Sequence, residues 1–258
     1  MKTARELFES GKLNEAIEAL GVELREHPSD VQRRTFLFEL LCFAGNWDRA
    51  DKQLDILAGA DKDHRMGALL YRAAIAGERT RQDMFREKLA AANGSAGGNG
   101  ASAEKAVTAE EAATAQKADP VSGSLNGREF QSIEDADPRI GARLEVLAGV
   151  NYMWIPLEHI TLIEMDAPKR LRDLLWAPAR VHTSEGFEGA DLGEVLLPVL
   201  SPASGSHSDD AVRLGRATVW EHTPDGEEIP FGQKMLIADG EEFPLLELRR
   251  LEIRQPAG

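Results

Sequence analysis

The sequence predicts an α+β protein of two modules, a helical repeat module followed by a β-rich α+β half. Three observations carry that reading. The first 92 residues set apolar side chains at helical spacing with few strand signals. Residues 93–127 then lose nearly all large apolar residues. From residue 128 onward, short apolar runs alternate with turn residues. The expected organisation is therefore a helical module at 1–92, a flexible low-complexity linker at 93–127 and a strand-rich domain at 128–258.

In the helical module, Leu7, Gly11, Ala16 and Leu20 are matched 34 residues later by Leu41, Gly45, Ala50 and Leu54. That period belongs to tetratricopeptide-like repeats, in which a small residue on the second helix lets two helix axes approach. A third unit is expected to begin with a helix at 65–76 and then leave register, as a capping element does. Two repeats are few for an independent solenoid, so the module is expected to lean on the C-terminal half. Residues 36–43 are apolar almost all round, which predicts a helix buried on more than one side and makes Cys42 a small buried hydrophobe. The Gly-rich run at 93–100 and the Ala/Glu/Thr/Lys run at 104–118 have no stripe to bury and read as a connector.

In the C-terminal half, strands are expected at 152–157, 160–163, 195–200, 217–220, 234–238 and 245–253, with a short helix at 168–175. Strands and long helices do not alternate, which excludes a doubly wound parallel sheet and leaves a small sheet or a partly closed small barrel.

The chain has 258 residues, 42% apolar residues and a formal net charge of −14. Residues 1–92 are close to neutral, so the acidity belongs to the C-terminal half. Such a surface repels phosphate backbones, which argues against nucleic acid and favours basic protein surfaces. No run approaches the roughly 18 apolar residues of a membrane span, and the N-terminus has no secretory h-region. A soluble, cytoplasmic protein without membrane insertion is expected. One cysteine excludes an internal disulfide framework.

The residues that could carry chemistry lie in two stretches. Asp135 and Asp137 stand two apart, with Arg139, Arg143 and Glu145 close by and Trp154 following. If both acids lie on one strand they share a face, which suits acid/base work or a divalent cation. The same placement suits ion pairs with Arg139, Arg143 or Arg172, and structural pairing is the expected use. Arg172 and Asp173 precede Trp176 in a similar arrangement. Trp154, Trp176 and Trp220 are expected in the core rather than in a ligand stack. The six histidines form no i, i+4 pair, and no HExxH or phosphate-binding glycine loop occurs. No metal, cofactor or catalytic residue is expected.

Two stretches carry a signature. Residues 133–145 read IEDADPRIGARLE, followed by Asn151-Tyr152-Met153-Trp154-Ile155-Pro156, and residues 171–179 read LRDLLWAPA. Leu197-Pro198-Val199-Leu200, the run at 209–216, Thr218-Val219-Trp220 and Gly232-Gln233-Lys234 follow in order. With the N-terminal pattern, the chain resembles the ImpE family, also called SciE or TagJ, accessory proteins of bacterial type VI secretion. Where that family continues its helical module, residues 93–125 here are low in complexity.

The resemblance implies a non-catalytic adaptor that binds the N-terminal helix of the small contractile-sheath subunit. It also implies a functional link to the AAA+ ATPase ClpV, which disassembles contracted sheaths. On this reading Asp135, Asp137, Arg139, Arg143, Trp154, Arg172, Asp173 and Trp176 are candidates for partner binding or for structural pairing. Two alternatives stay open: a general tetratricopeptide-type scaffold or co-chaperone unrelated to secretion, and an enzyme using the Asp135/Asp137 region.

Overall fold

A computed structural model of the chain describes residues 2–60, 62–92, 120–184, 187, 192–223 and 226–255, with the side chains of 87–92 left out. Five helices come first: α1 (Ala4–Glu9), α2 (Leu13–Glu26), α3 (Val31–Phe43), α4 (Trp47–Ala58) and α5 (Lys62–Ala92). The 34-residue correspondence is visible in space. Ala16 and Ala50 are both fully buried, as are Leu20 and Leu54. Gly11 and Gly45 both turn the chain with positive φ, at 77° and 65°, a conformation glycine adopts at little cost. Consecutive helices pack on one another.

The third unit departs from expectation. Instead of a short helix at 65–76, α5 runs unbroken for 31 residues. Its composition is rich in Ala, Leu, Arg and Glu, which favour helix, and no proline interrupts it. Gly77 survives in mid-helix because a β-carbon there would come within 2.3 Å of Leu147 Cδ2. The helix axis thus lies close against the sheet. The expected linker at 93–127 falls outside the described residues as far as 119, and its last part holds a strand.

Thirteen strands follow among the described residues. β1 (Gly123–Leu125), β2 (Arg128–Phe130), β3 (Ile133–Asp135), β4 (Arg143–Ala148), β5 (Asn151–Pro156), β6 (Ile160–Met165), β7 (Trp176–Thr183) and β8 (Gly193–Pro198) come first. β9 (Thr218–His222), β10 (Glu228–Gly232), β11 (Met235–Ala238), β12 (Glu241–Pro244) and β13 (Arg250–Ile253) complete them. Eight form one open antiparallel sheet in the order β2-β1-β13-β6-β7-β8-β4-β5. The order β12-β11-β3 makes a smaller sheet, and β9 and β10 form a hairpin. The arrangement is α+β, with no closed barrel. Residues 168–175 yield a single 3₁₀ turn at Leu171–Leu174, and the run at 245–253 is split by another at Leu245–Glu247 before β13.

β4 explains how the modules meet. All of Arg143, Leu144, Glu145, Val146 and Leu147 are buried. Because side chains alternate along a strand, Leu144 and Val146 enter the core of the β-rich half while Leu147 joins the core of the helices. Leu175, Trp176, Leu200 and Leu214 also belong to that helical core. The helical module therefore completes its apolar core with residues of the β-rich half.

Polar contacts reinforce the junction. α2 has no side-chain cap of its own, and Leu13 N donates instead to Asp210 Oδ2 at 2.8 Å, from a helical turn at Asp210–Arg213. Arg213 reaches Asn14 Oδ1 at 3.1 Å, and Arg216 donates to the carbonyls of Phe8 and Glu9 at the end of α1. Gly205 sits so near Gly45 that a β-carbon on Gly205 would lie 3.1 Å from Gly45 N.

Candidate functional site

The signature residues gather at this junction around a buried charge cluster. Arg81 on α5 donates from Nε and Nη2 to the two oxygens of Glu145, each at 2.8 Å, and from Nη2 to the carbonyl of Leu200 at 2.9 Å. The forked pair is geometrically specific. Lys234, just before β11, reaches Glu145 Oε2 at 2.6 Å and Asp135 Oδ2 at 2.5 Å. Tyr152 donates its hydroxyl proton to Glu145, and the Trp154 indole donates to Tyr152. Glu78, one helical turn before Arg81, accepts from Trp176 Nε1 at 3.1 Å.

Burial alone would raise the Glu145 pKa, but the Arg81 guanidinium and the Lys234 ammonium outweigh it and hold the carboxyl well below the ordinary range. Asp135 goes the other way. Burial pushes it up to about 6, with Lys234 opposing. Burial also raises the Tyr152 phenol far above its usual value, assisted by the Glu145 charge.

Asp135 and Asp137 do not share a face. β3 ends at Asp135, and Asp137 lies in the following turn. Asp135 takes Lys234, a partner absent from the sequence expectation, and its Oδ1 accepts from Asp137 N at 2.9 Å. Asp137 grips Arg139 with both oxygens, at 2.8 and 2.6 Å. Arg143 pairs with no carboxylate among the described residues. It donates to the carbonyls of Ile140 and Arg139 and lies 4.2 Å from the Trp154 ring centre. Arg139 stands in the same relation to Phe85 of α5, at 4.8 Å.

The second stretch forms a neighbouring cluster. Trp176 is fully buried and stacks on Tyr71 with ring centres 6.0 Å apart. Arg172 covers the other side of this group, 4.8 Å from the Tyr71 ring centre and 3.8 Å from Glu39 Oε1. Burial raises Glu39 to about 7, with the Arg172 charge opposing. Asp173 turns back to accept from Lys169 N and Arg170 N, both at 2.9 Å, and so shapes the 3₁₀ turn.

Asp135, Asp137, Glu145 and Trp176 are thus enclosed by partners within the chain. No group of three or more His, Cys, Asp or Glu is placed to hold a metal ion among the described residues. The surface that stands open lies on the opposite side of α5. Met66, Leu69, Ala73, Ala76 and Thr80 follow one another at spacings of three and four, forming an apolar seam along the helix. Met66 is 66% exposed, Leu69 56% and Leu70 48%, and Ile56 near the end of α4 is 53% exposed. Sequence reasoning read residues 65–76 as a helix without identifying this seam as exposed. Only the absence of a following helix in register hinted at it.

Comparisons with known proteins agree on the relatives. The family described as ImpE protein matches residues 127–252. The type VI secretion system accessory component TagJ of Pseudomonas aeruginosa is 33% identical over 265 aligned residues, covering 96% of this chain and 90% of TagJ. A crystal structure of a protein from Vibrio parahaemolyticus superposes with a TM-score of 0.79 at 22% identity, over 98% of this chain and 97% of the other. That likeness establishes the shared fold through both modules.

Proposed function

This chain belongs to the ImpE family, and on that premise we propose that it is an accessory adaptor of type VI secretion that works by holding a partner's helix, not by catalysis. The partner is the N-terminal helix of the small contractile-sheath subunit. The adaptor thereby influences sheath assembly or ClpV-linked recycling in the cytoplasm. No helix among the described residues is long and apolar enough to cross a membrane.

The observation that carries this reading is the exposed seam on α5. An isolated exposed leucine needs no explanation, but Met66 and Leu69, three residues apart on one face of α5, are both exposed, and Leu70 next to them is exposed as well. Alternating spacings of three and four are what an amphipathic helix meets with its own apolar face. The large residues lie toward the start of α5, and Ala73 and Ala76 leave room for a large side chain from the partner. The buried carboxylates support binding over turnover, since Asp135 is already engaged by Lys234 and Glu145 by Lys234 and by Arg81 of α5.

Calorimetric titration of the full chain with a peptide of that sheath helix tests the proposal. Saturable binding by the native protein and none by Leu69→Glu is the expected pair of results. Absence of binding to the folded native protein would overturn the sheath reading and leave a general scaffold. Undiminished binding to Leu69→Glu would move the partner site off α5.

A further inference from the structure

We propose that the junction of the two modules holds a bound water molecule bridging the indole of Trp47 to the hydroxyl of Ser201. The proposal is independent of the partner reading above. It rests on two buried polar atoms and the cavity they share. Trp47 Nε1 and Ser201 Oγ are both fully enclosed and have no hydrogen-bond partner in the chain. Ser201 as a whole is only 2% exposed. Both residues line one partly open cavity with about 30 Å³ of space for water, bordered by Phe43, Glu78, Arg81, Gln82 and the loop from Leu200 to Gly205.

Two of the surrounding polar side chains, Arg81 and Ser204, are already committed. Arg81 is engaged with Glu145 and the Leu200 carbonyl. The Ser204 hydroxyl donates to the Ser201 carbonyl at 2.6 Å. The indole N–H can only donate, so it requires an acceptor, and the serine hydroxyl can play either part. One molecule that accepts from the first and exchanges with the second satisfies both, and the Glu78 carboxylate at the wall offers a further acceptor. A water needs roughly 10–15 Å³ of such space and two to four polar partners, and this cavity supplies both. Larger ligands are excluded by its volume.

The position gives this water a role. Trp47 opens α4 on the helical side, while Ser201 follows β8 on the other. The close approach of Gly205 to Gly45 holds the loop against the repeat turn. The bridge thus adds a polar link between α4 and the β-rich half beside the ring contact of Trp47 with Trp176, whose centres lie 6.3 Å apart.

A high-resolution crystal structure of the full chain is the direct test. Ordered density within about 2.7–3.2 Å of both Trp47 Nε1 and Ser201 Oγ is expected. Thermal unfolding of Ser201→Ala supplies a sign. If water is bound, the variant strips it of a partner and Tm falls by about 2–4 °C, the shift for loss of one ordinary hydrogen bond in a chain this size. If the hydroxyl is a dry orphan, its removal leaves Tm unchanged or raises it, and the proposal fails. It fails equally if the crystal shows Trp47 bonded directly to Ser201, or no density in the cavity. Trp47→Phe combined with Ser201→Ala should cost less than the sum of the two, because both act on one bridge.

Discussion

Helix α5 buries two charged residues, Glu78 and Arg81, on the side that meets the sheet, and exposes three large apolar ones, Met66, Leu69 and Leu70, near its start. Inward, Glu78 and Arg81 are nearly inaccessible and meet Glu145, Trp176 and the Leu200 carbonyl. Outward, Met66, Leu69 and Leu70 face solvent. An amphipathic surface helix ordinarily does the reverse. The two faces answer to different demands. The inner one must fix a single docking geometry between modules, which paired charges do well because every mispairing leaves a charge buried. On the proposed function the outer one stays available, and its apolar area gives a partner something to bury.

The sharpest way to break the inner face is to remove its central acid. Glu145→Gln leaves Arg81 with only one carboxylate, Glu78 at 3.4 Å, and Lys234 with only Asp135. A loss of about 3–5 kcal/mol is expected, read from chemical denaturation. Replacing Arg81 and Glu145 together by methionine should cost much less than the two single changes combined. A strictly additive result would show that the pair is not coupled as its geometry indicates.

A smaller effect follows from Glu39, beside Arg172. Its folded pKa of about 7 lies above the unfolded value of 4.5, so the folded state holds the proton more tightly. The contribution is fully present below pH 4.5 and is lost as pH rises through 7. Asp135 behaves alike between 3.8 and about 6. Tm should therefore be higher near pH 6 than near pH 8. Glu39→Gln should flatten that slope and raise stability at pH 8 by an amount on the order of 1–2 kcal/mol. A slope unaffected by the substitution would assign the pH dependence elsewhere.

Next in size is the cap that one module gives the other. Asp210→Ala deprives α2 of its N-terminal acceptor and Arg213 of a 2.7 Å partner. A loss of about 1 kcal/mol is expected, the usual cost of a missing cap. Amide exchange should quicken at the start of α2 and leave β11 and β12 unaffected. Uniform acceleration throughout would mean that the junction opens only with the whole fold.

How much of this was legible beforehand depends on which side of a residue one could see. The helices and turns at the start of the chain were readable because Gly11 and Gly45, Ala16 and Ala50 each serve a local need of turn or helix contact. The signature residues were readable as a set, yet their partners were not. Asp135 binds Lys234, ninety-nine residues away, which leads into β11, the strand that pairs with β3, and no local pattern connects the two. Glu78 and Arg81 sit in a charged stretch of α5 that reads as a solvated surface. Only the period-2 alternation of β4, with Glu145 and Leu147 turned toward α5, shows that this side is covered. β7 was hidden by Pro178, a residue that argues against an interior strand. In the fold it falls one place beyond Ala179, the last partner of β6, where its missing N–H takes no bond from that ladder.

The outer face should respond least in stability and most in binding. Leu69→Glu places a charge on a position already 56% exposed, so unfolding should shift by no more than about 0.5 kcal/mol. The same change puts a carboxylate in the middle of the seam, where a docked helix would have to desolvate it without a counter-charge. Partner affinity should fall at least about a hundredfold, while Glu145→Gln, measured below its unfolding midpoint, should leave affinity within a few-fold of native. That crossed pattern is the outcome that separates the two faces. If instead Leu69→Glu unfolds the protein, the seam is packed against something within the chain, and the outward face is no docking surface. If Glu145→Gln alone abolishes binding, the charge cluster shapes the partner site through the position of α5, and the two faces of the helix act as one device.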